Sequence, residues 1–189
     1  MLTILIANQK GGVGKTTIAD ELAFALERRG FKVAFVSTDP QGGSIHVPAI
    51  EESTIEDCDF QIVDTAGVLH EELSKWAKSS DVILVPLLPS TRDLPPTLRT
   101  LGVVQDSGSL AETLVVINMF NALGIMDRHL SEFFDSYDDI DYVTIPRTVA
   151  LSQAASLKMS LHDFAPSHSA NAAFENLTVE VLDRLGALV

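Results

Sequence analysis

The sequence predicts an α/β fold, built as one domain on a mostly parallel twisted sheet with helices on both faces. Six apolar runs alternate along the chain with segments of helical periodicity, the pattern of parallel strands joined by crossover helices. The runs are nearly continuous in Val, Ile and Leu, as expected of strands covered on both faces. With 189 residues, 46% of them hydrophobic, the chain is long enough for one buried core, and we expect a single domain over 1–189.

Each element is bounded by turn signals or by the periodicity of its apolar positions. The strands are predicted at 2–7, 32–37, 59–64, 81–88, 113–118 and 141–146. The helices are predicted at 15–29, 69–79, 92–105, 124–136, 148–157 and about 170–188. The first helix ends at Gly30, a typical helix terminator. The last helix has one apolar stripe and an acidic polar face, so it is expected to pack on the sheet rather than on a membrane surface.

Composition narrows the function classes. The net charge of −13 argues against broad, high-affinity DNA binding by a monomer. No apolar run approaches the roughly 18 to 20 residues of a membrane-spanning helix, and the first residues do not resemble a signal peptide. The single cysteine, Cys58, excludes an internal disulfide and fits a reducing cytosol. The five histidines do not have the spacing of metal ligands, so a zinc site is not expected.

The stretch NQKGGVGKTT, residues 8–17, follows the first strand and contains the second half of the phosphate-loop pattern G-x-x-x-x-G-K-[ST]. Backbone N–H groups and the dipole of the following helix would hold phosphate there. Lys15 would reach the β- and γ-phosphates, and the Thr16 hydroxyl would bind Mg²⁺. The sequence departs from this pattern at position 9, where Gln9 replaces the standard glycine. An additional lysine, Lys10, follows it. The predicted nucleotide-binding residues of the loop are Lys10, Gly11, Gly12, Val13, Gly14, Lys15, Thr16 and Thr17.

Two further motifs end strands. In QIVDTAG, 61–67, Asp64 stands where a carboxylate would steady Mg²⁺. In STDPQGG, 37–43, Asp39 stands at the carboxyl end of the neighbouring strand. There it could orient a water that attacks the γ-phosphate and lie at the metal site, or it could simply open an Asx turn, since Asp-Pro commonly does so.

Taken together, KGGVGKTT, TDPQ, IVDTAG and IPRTVALSQA (145–154) resemble the ParA family of partition ATPases. These belong to the deviant Walker A group of P-loop NTPases, with MinD and the nitrogenase iron protein. The resemblance covers essentially the whole chain and is best for the small members that lack an N-terminal helix-turn-helix domain. It implies a P-loop NTPase fold, ATP and ADP as ligands with Mg²⁺, and hydrolysis that is slow without a partner protein.

The resemblance also implies roles for particular residues. Lys10 would cross a dimer interface to the phosphates of the other subunit, which accounts for the second cation in the loop. Asp39 would orient the attacking water. Asn118, Pro146 and Arg147 would surround the adenine and ribose. Asn118 could equally cap a strand end, and Arg147 could be a dimer or DNA contact.

The implied partners are a second copy bound to ATP and a DNA-bound protein of the ParB or ParG kind. Weak, non-specific DNA binding, no membrane binding and a cytoplasmic, nucleoid-associated location are expected. Two features depart from the family: Ser37 replaces its first aspartate, and residues 101–189 hold four basic against twelve acidic residues. These departures support an alternative hypothesis, in which the chain is a nucleotide-dependent scaffold or regulator with weakened catalysis. A MinD-like membrane-associated ATPase and a metabolic P-loop enzyme are weaker alternatives.

Overall fold

The computed structural model describes residues 1–38, 43–46, 57–67 and 70–188. Its strands are β1 (Leu2–Ile6), β2 (Val33–Ser37), β3 (Phe60–Asp64), β4 (Val82–Leu87), β5 (Glu112–Phe120) and β6 (Asp141–Pro146). Its helices are α1 (Lys15–Arg28), α2 (His70–Lys78), α3 (Leu94–Ser107), α4 (Ile125–Asp135), α5 (Ala150–Ser156), α6 (Leu161–Phe164) and α7 (Ala170–Arg184). The predicted α/β fold is confirmed.

The strands form one six-stranded sheet in the order β2-β3-β1-β4-β5-β6, and every neighbouring pair is parallel. The chain runs from β1 to the β2 edge, returns through β3, and then crosses β1 to β4. The strand order therefore changes direction beside β1. In open parallel sheets, ligands bind at the carboxyl ends of the strands at such a point. Ile6 of β1 lies opposite Asp64 on one side and Leu84 on the other, so these three residues mark the relevant edge.

Helices cover both faces of the sheet, because successive strand residues point to opposite sides. Ile4 and Ile6 belong to a buried cluster with apolar side chains of α1 and α7. Leu5, between them, belongs to a second cluster with α2 and α3. A third cluster joins α4 to β4 and β5. The strands are therefore buried on both faces, which explains their continuous apolar sequences.

Several element ends differ from the sequence prediction. Helix α3 begins two residues later than predicted and keeps Pro95 and Pro96 in its first turn, where a missing N–H costs little. Helix α7 ends at Arg184, and Gly186 follows with a φ of 62°. The short α6 was not predicted; Ser160 caps it by accepting a hydrogen bond from the Asp163 N–H. Within the described ranges, no helix combines the length and apolarity needed to cross a bilayer.

Candidate functional site

The loop between β1 and α1 lies at the point where the strand order changes direction. Gly12 and Gly14 have φ values of 77° and 91°, the left-handed region that side chains other than glycine rarely adopt. Helix α1 begins directly afterwards at Lys15, so its first N–H groups and its positive dipole end face the loop. Gly11 and Gly12 are exposed, whereas Val13 is buried and anchors the loop in the core. This geometry suits an anion.

Lys15 is folded back over the loop. Its ammonium donates hydrogen bonds to the backbone carbonyls of Asn8 and Lys10, each at 3.3 Å, and the residue is almost completely buried. A buried cation is costly unless it is compensated, and the two carbonyls compensate it partly. The loop therefore carries a positive charge enclosed by its own backbone, where phosphate oxygens would meet it.

The Thr16 hydroxyl donates a 2.8 Å hydrogen bond to the Asp64 carboxylate. Asp64 ends β3, is fully buried, and accepts a backbone hydrogen bond from Thr38 at its carbonyl. Hydroxyl and carboxylate oxygens are the ligands that Mg²⁺ prefers, so this pair has the donor chemistry of the implied metal. The structure brings together the two motifs that the sequence analysis assigned separately.

Lys10 lies beside this centre and is half-buried. Its backbone N–H donates to the Asn8 side-chain oxygen at 2.9 Å, and its carbonyl accepts from Lys15. Within the described part of the chain, no ion pair involves the Lys10 ammonium. Thr17, on the first turn of α1, is also half-buried. Asp39 lies outside the described residues.

Asn118 lies behind the loop, near the end of β5. Its amide group donates to the Val13 carbonyl at 2.9 Å, and its side-chain oxygen accepts from the Met119 N–H. A Cβ atom on Gly14 would lie 2.2 Å from the Asn118 amide nitrogen, so a glycine is required there for packing as well as for its φ. Contact with adenine or ribose stays a prediction for this residue.

Pro146 ends β6, and Arg147 follows it on the surface, its N–H bonded to the Phe120 carbonyl. Arg147 lines a cleft of about 320 Å³ at the ends of β4, β5 and β6, together with Leu88, Pro89, Ser90, Met119, Asn121 and Asp127. A second cleft, of about 520 Å³, lies at the ends of β2 and β3 and is lined by Thr38, Ala66, Gly67, Glu72, Lys75, Trp76 and Ser79. Nucleobase binding by Pro146 and Arg147 stays a prediction.

A buried polar network, not predicted from the sequence, supports the start of the loop. The Asn8 amide donates to the Pro86 carbonyl at 2.7 Å and to the Thr97 hydroxyl at 2.9 Å. The Gln9 N–H donates to the Thr100 hydroxyl at 3.2 Å. Asn8, Thr97 and Thr100 are fully buried. Two threonines three positions apart on the buried face of a helix were the available sequence signal.

Two buried carboxylates on α1, Asp20 and Glu21, were not predicted from the sequence either. Asp20 accepts hydrogen bonds from the Ser44 hydroxyl and from the backbone N–H groups of Ile45 and His46, but burial still raises its pKa above the ordinary value. Burial raises the pKa of Glu21 to about 7, although the Leu161 N–H donates to its carboxylate at 2.8 Å. Both residues therefore attach later segments of the chain to the helix that begins at Lys15.

Comparison with known proteins agrees with this geometry. The sequence model of the AAA domain family matches residues 1–157. The sporulation initiation inhibitor protein Soj of Bacillus subtilis (strain 168) is 38% identical over 98 residues, which are 50% of this chain and 39% of that protein. The chain thus spans well under half of that relative's length. The chromosome-partitioning ATPase Soj of Thermus thermophilus is 27% identical over 242 aligned positions, covering 96% of each chain.

Among solved structures, an ATP complex of a Cyanothece McdA variant has the same fold, with a TM-score of 0.78 at 18% identity. The match covers 100% of this chain and 98% of that one. The fold class and the family that the motifs predict are therefore both confirmed. The chain belongs to the AAA domain family and, within it, to the ParA family of partition ATPases.

Proposed function

We propose that this chain is an ATP-dependent dimerisation switch that partitions DNA or positions another cargo, with Mg²⁺-dependent ATP hydrolysis stimulated by a partner protein. The observation that carries the proposal is the 2.8 Å hydrogen bond between Thr16 and Asp64. It joins the phosphate loop to the strand-end carboxylate, which is the arrangement that phosphoryl transfer to water requires. A relative is named a chromosome-partitioning ATPase, and a structure of the same fold is an ATP complex, which supports the same function here.

The chain's own groups supply the chemistry by positioning and by charge. Backbone N–H groups of the loop and the Lys15 ammonium would hold the phosphates of ATP or ADP. Thr16 and Asp64 would hold Mg²⁺, which neutralises charge on the phosphate oxygens when it is bound. Asp39 would orient the attacking water, a role that rests on the family resemblance. Asn118, Pro146 and Arg147 would contact the nucleoside.

Lys10 would act on the other subunit. Its half-buried position and its lack of an ion pair within the described part of the chain support this role. A lysine about 4 Å from a phosphate charge gains roughly 4 kcal/mol at an effective dielectric near 20, before desolvation is subtracted. A contact that is strong with ATP and weaker with ADP would shift the monomer–dimer equilibrium with the nucleotide.

The experiment that tests this proposal is analytical ultracentrifugation with Mg²⁺ and a non-hydrolysable ATP analogue, with ADP, and without nucleotide. The wild type is expected to dimerise only with the triphosphate. Lys10→Ala is expected to weaken the dimer at least about tenfold, because a net loss of 1.4 kcal/mol already has that effect. Lys78→Ala, an exposed lysine in the last turn of α2, is the matched control. A wild type that stays monomeric with saturating analogue would contradict the proposal.

Hydrolysis and partners are tested separately. If the wild type turns over ATP no faster than Lys15→Ala does, the proposed ATPase activity is wrong. Stimulation is assayed by adding a ParB-like or ParG-like protein and DNA. The DNA contact is expected to be weak and strongly salt-dependent. Of the four basic residues in 101–189, Arg184 already binds Glu112, Asp141 and Glu180. Retention of the protein on duplex DNA that depends on neither salt nor nucleotide would contradict the proposed DNA contact.

A second candidate function is a nucleotide-dependent scaffold or regulator with weakened catalysis. It is favoured by Ser37, which ends β2 where the family has an aspartate. Dimerisation with ATP but turnover at the level of the Lys15→Ala control would favour the scaffold. The proposed absence of a membrane partner is tested by liposome co-sedimentation.

A further inference from the structure

We propose that Thr100, together with Asn8, is a positioning residue for Lys10 and sets the geometry with which that lysine reaches the other subunit. This inference rests on the proposed function, because it assigns a supporting contact to the same trans-acting cation. Neither residue would touch the nucleotide. Both would act through the backbone on which Lys10 is carried.

The start of the phosphate loop is held by side chains rather than by a strand partner. The Gln9 N–H donates to the Thr100 hydroxyl at 3.2 Å, and the Lys10 N–H donates to the Asn8 side-chain oxygen at 2.9 Å. The Thr100 hydroxyl has one hydrogen, which it can give to that same Asn8 oxygen at 3.3 Å or to the Pro96 carbonyl at 3.0 Å. In either case it accepts from Gln9. Two consecutive loop amides are therefore tied to one buried network.

The Lys10 backbone is held on both sides of its Cα atom. Its N–H is bound by Asn8, and its carbonyl is bound by the Lys15 ammonium at 3.3 Å. The direction of a side chain follows from its backbone, so fixing both groups restricts where the ammonium points. A cation that must meet phosphates on another molecule gains from such preorganisation, because less freedom is lost on association.

Thr100 supplies the hydrogen-bond acceptor for the Gln9 N–H. Thr97 and Thr100 are fully buried on the inner face of α3, and Asn8 is fully buried in the loop after β1, so bulk water does not reach the Thr100 hydroxyl. Removing that hydroxyl leaves the N–H of the half-buried Gln9 without its acceptor, and a partly shielded donor is more costly to leave unpaired than an exposed one. The loop is then expected to shift at Gln9 and Lys10. Lys15 also donates to the Asn8 carbonyl, so its ammonium keeps that contact when Lys10 shifts.

The test compares Thr100→Val, which has nearly the same shape without the hydroxyl, with Thr100→Ser, which keeps it. Thr178→Val is the matched control, because Thr178 is also a fully buried helical threonine, with its hydroxyl bonded to the Phe174 carbonyl. We expect T100V to weaken dimerisation with Mg²⁺ and the non-hydrolysable analogue by about five- to tenfold. Nucleotide affinity of the dilute monomer is expected to stay within about twofold. T100S and T178V are expected to dimerise like the wild type.

A double-mutant cycle with Lys10→Ala separates positioning from general stability. If Thr100 acts through Lys10, T100V has no further effect on dimerisation in the K10A background. The inference would be overturned if T100V weakened the dimer by the same factor in the K10A background as in the wild type. It would also be overturned if T178V weakened the dimer as much as T100V does. Amide hydrogen exchange of the monomer gives a second readout: exchange at Gln9 is expected to be at least about tenfold faster in T100V. An unchanged rate would also overturn it.

Thr100→Cys, whose thiol is a weaker acceptor, takes the place of T100V in all measurements should T100V not fold. Failure of this inference is distinguishable from failure of the proposed function. If the wild type does not dimerise with the triphosphate, or K10A has no effect, the function is wrong. If K10A weakens the dimer but the Thr100 variants do not, only the positioning role is wrong.

Discussion

Replacing Glu21 with Gln is expected to change how the free energy of unfolding depends on pH. Glu21 is only 4% exposed, and burial raises its pKa from 4.5 to about 7 in the folded protein. Because the folded pKa is the higher one, the folded protein binds more protons than the unfolded chain between these values. Stability associated with this group is therefore present at low pH and is lost as pH rises through about 4.5 to 7. At 1.36 kcal/mol per pKa unit, the full loss is roughly 3 kcal/mol.

Glu21→Gln removes the ionisation but keeps a side-chain oxygen that can accept from the Leu161 N–H. Unfolding in urea, followed by circular dichroism, is measured from pH 5.5 to 8.5, above the pI of about 4.6. Over this range the variant is expected to gain about 2 kcal/mol relative to the wild type as pH rises. Glu132→Gln, on an exposed position of α4, controls for the loss of one negative charge. A difference between E21Q and wild type that is constant with pH would refute the reasoning.

Two predictions concern the site directly. Gly14→Ala is expected to destabilise the loop by about 2–3 kcal/mol, from the cost of a left-handed alanine and the lost Asn118–Val13 hydrogen bond, and to lower nucleotide affinity measured by fluorescence titration. Gly102→Ala, where a Cβ meets no atom within 4 Å, is the control and should not destabilise the protein; equal effects would contradict the packing argument. Asp64→Asn is expected to lower Mg²⁺-dependent turnover roughly 10- to 100-fold while metal-free nucleotide binding persists. Unchanged turnover over a Mg²⁺ titration would remove Asp64 from the metal site.

The parts of the fold that the sequence predicted are those in which short-range patterns decide the outcome. A strand buried on both faces must be continuously apolar, so β1 and β4 were recognisable from composition. The end of α7 was not, because the apolar stripe continues to Leu188 while Gly186 adopts a left-handed φ that ends the helix. Helix α6 was missed because four residues carry too little periodicity.

In the candidate site, too, the residues that follow a local pattern were predicted, and the contacts between distant residues were not. Gly14, Lys15 and Thr16 were recognisable because the chemistry of phosphate binding requires those residue types at fixed spacing after a strand. The 2.8 Å contact between Thr16 and Asp64 was not predicted, because it joins two motifs that lie 48 positions apart along the chain. The spacing of Thr97 and Thr100 was the only signal for Thr100, and it was too weak to assign a role, because a threonine in a helix has the same sequence appearance whether it faces solvent or a loop amide 91 positions away.

By itself, therefore, the sequence determined the fold class and the family and predicted the phosphate loop, since each depends on residue types that lie close together along the chain. Only the tertiary structure decided which polar groups from distant parts of the chain come into contact. These are Asn118 behind Gly14, Glu21 against Leu161, and Thr100 beneath Gln9. These contacts join residues that are distant in sequence. They follow from the order and twist of the strands and from the packing of helices on them, which no local pattern encodes.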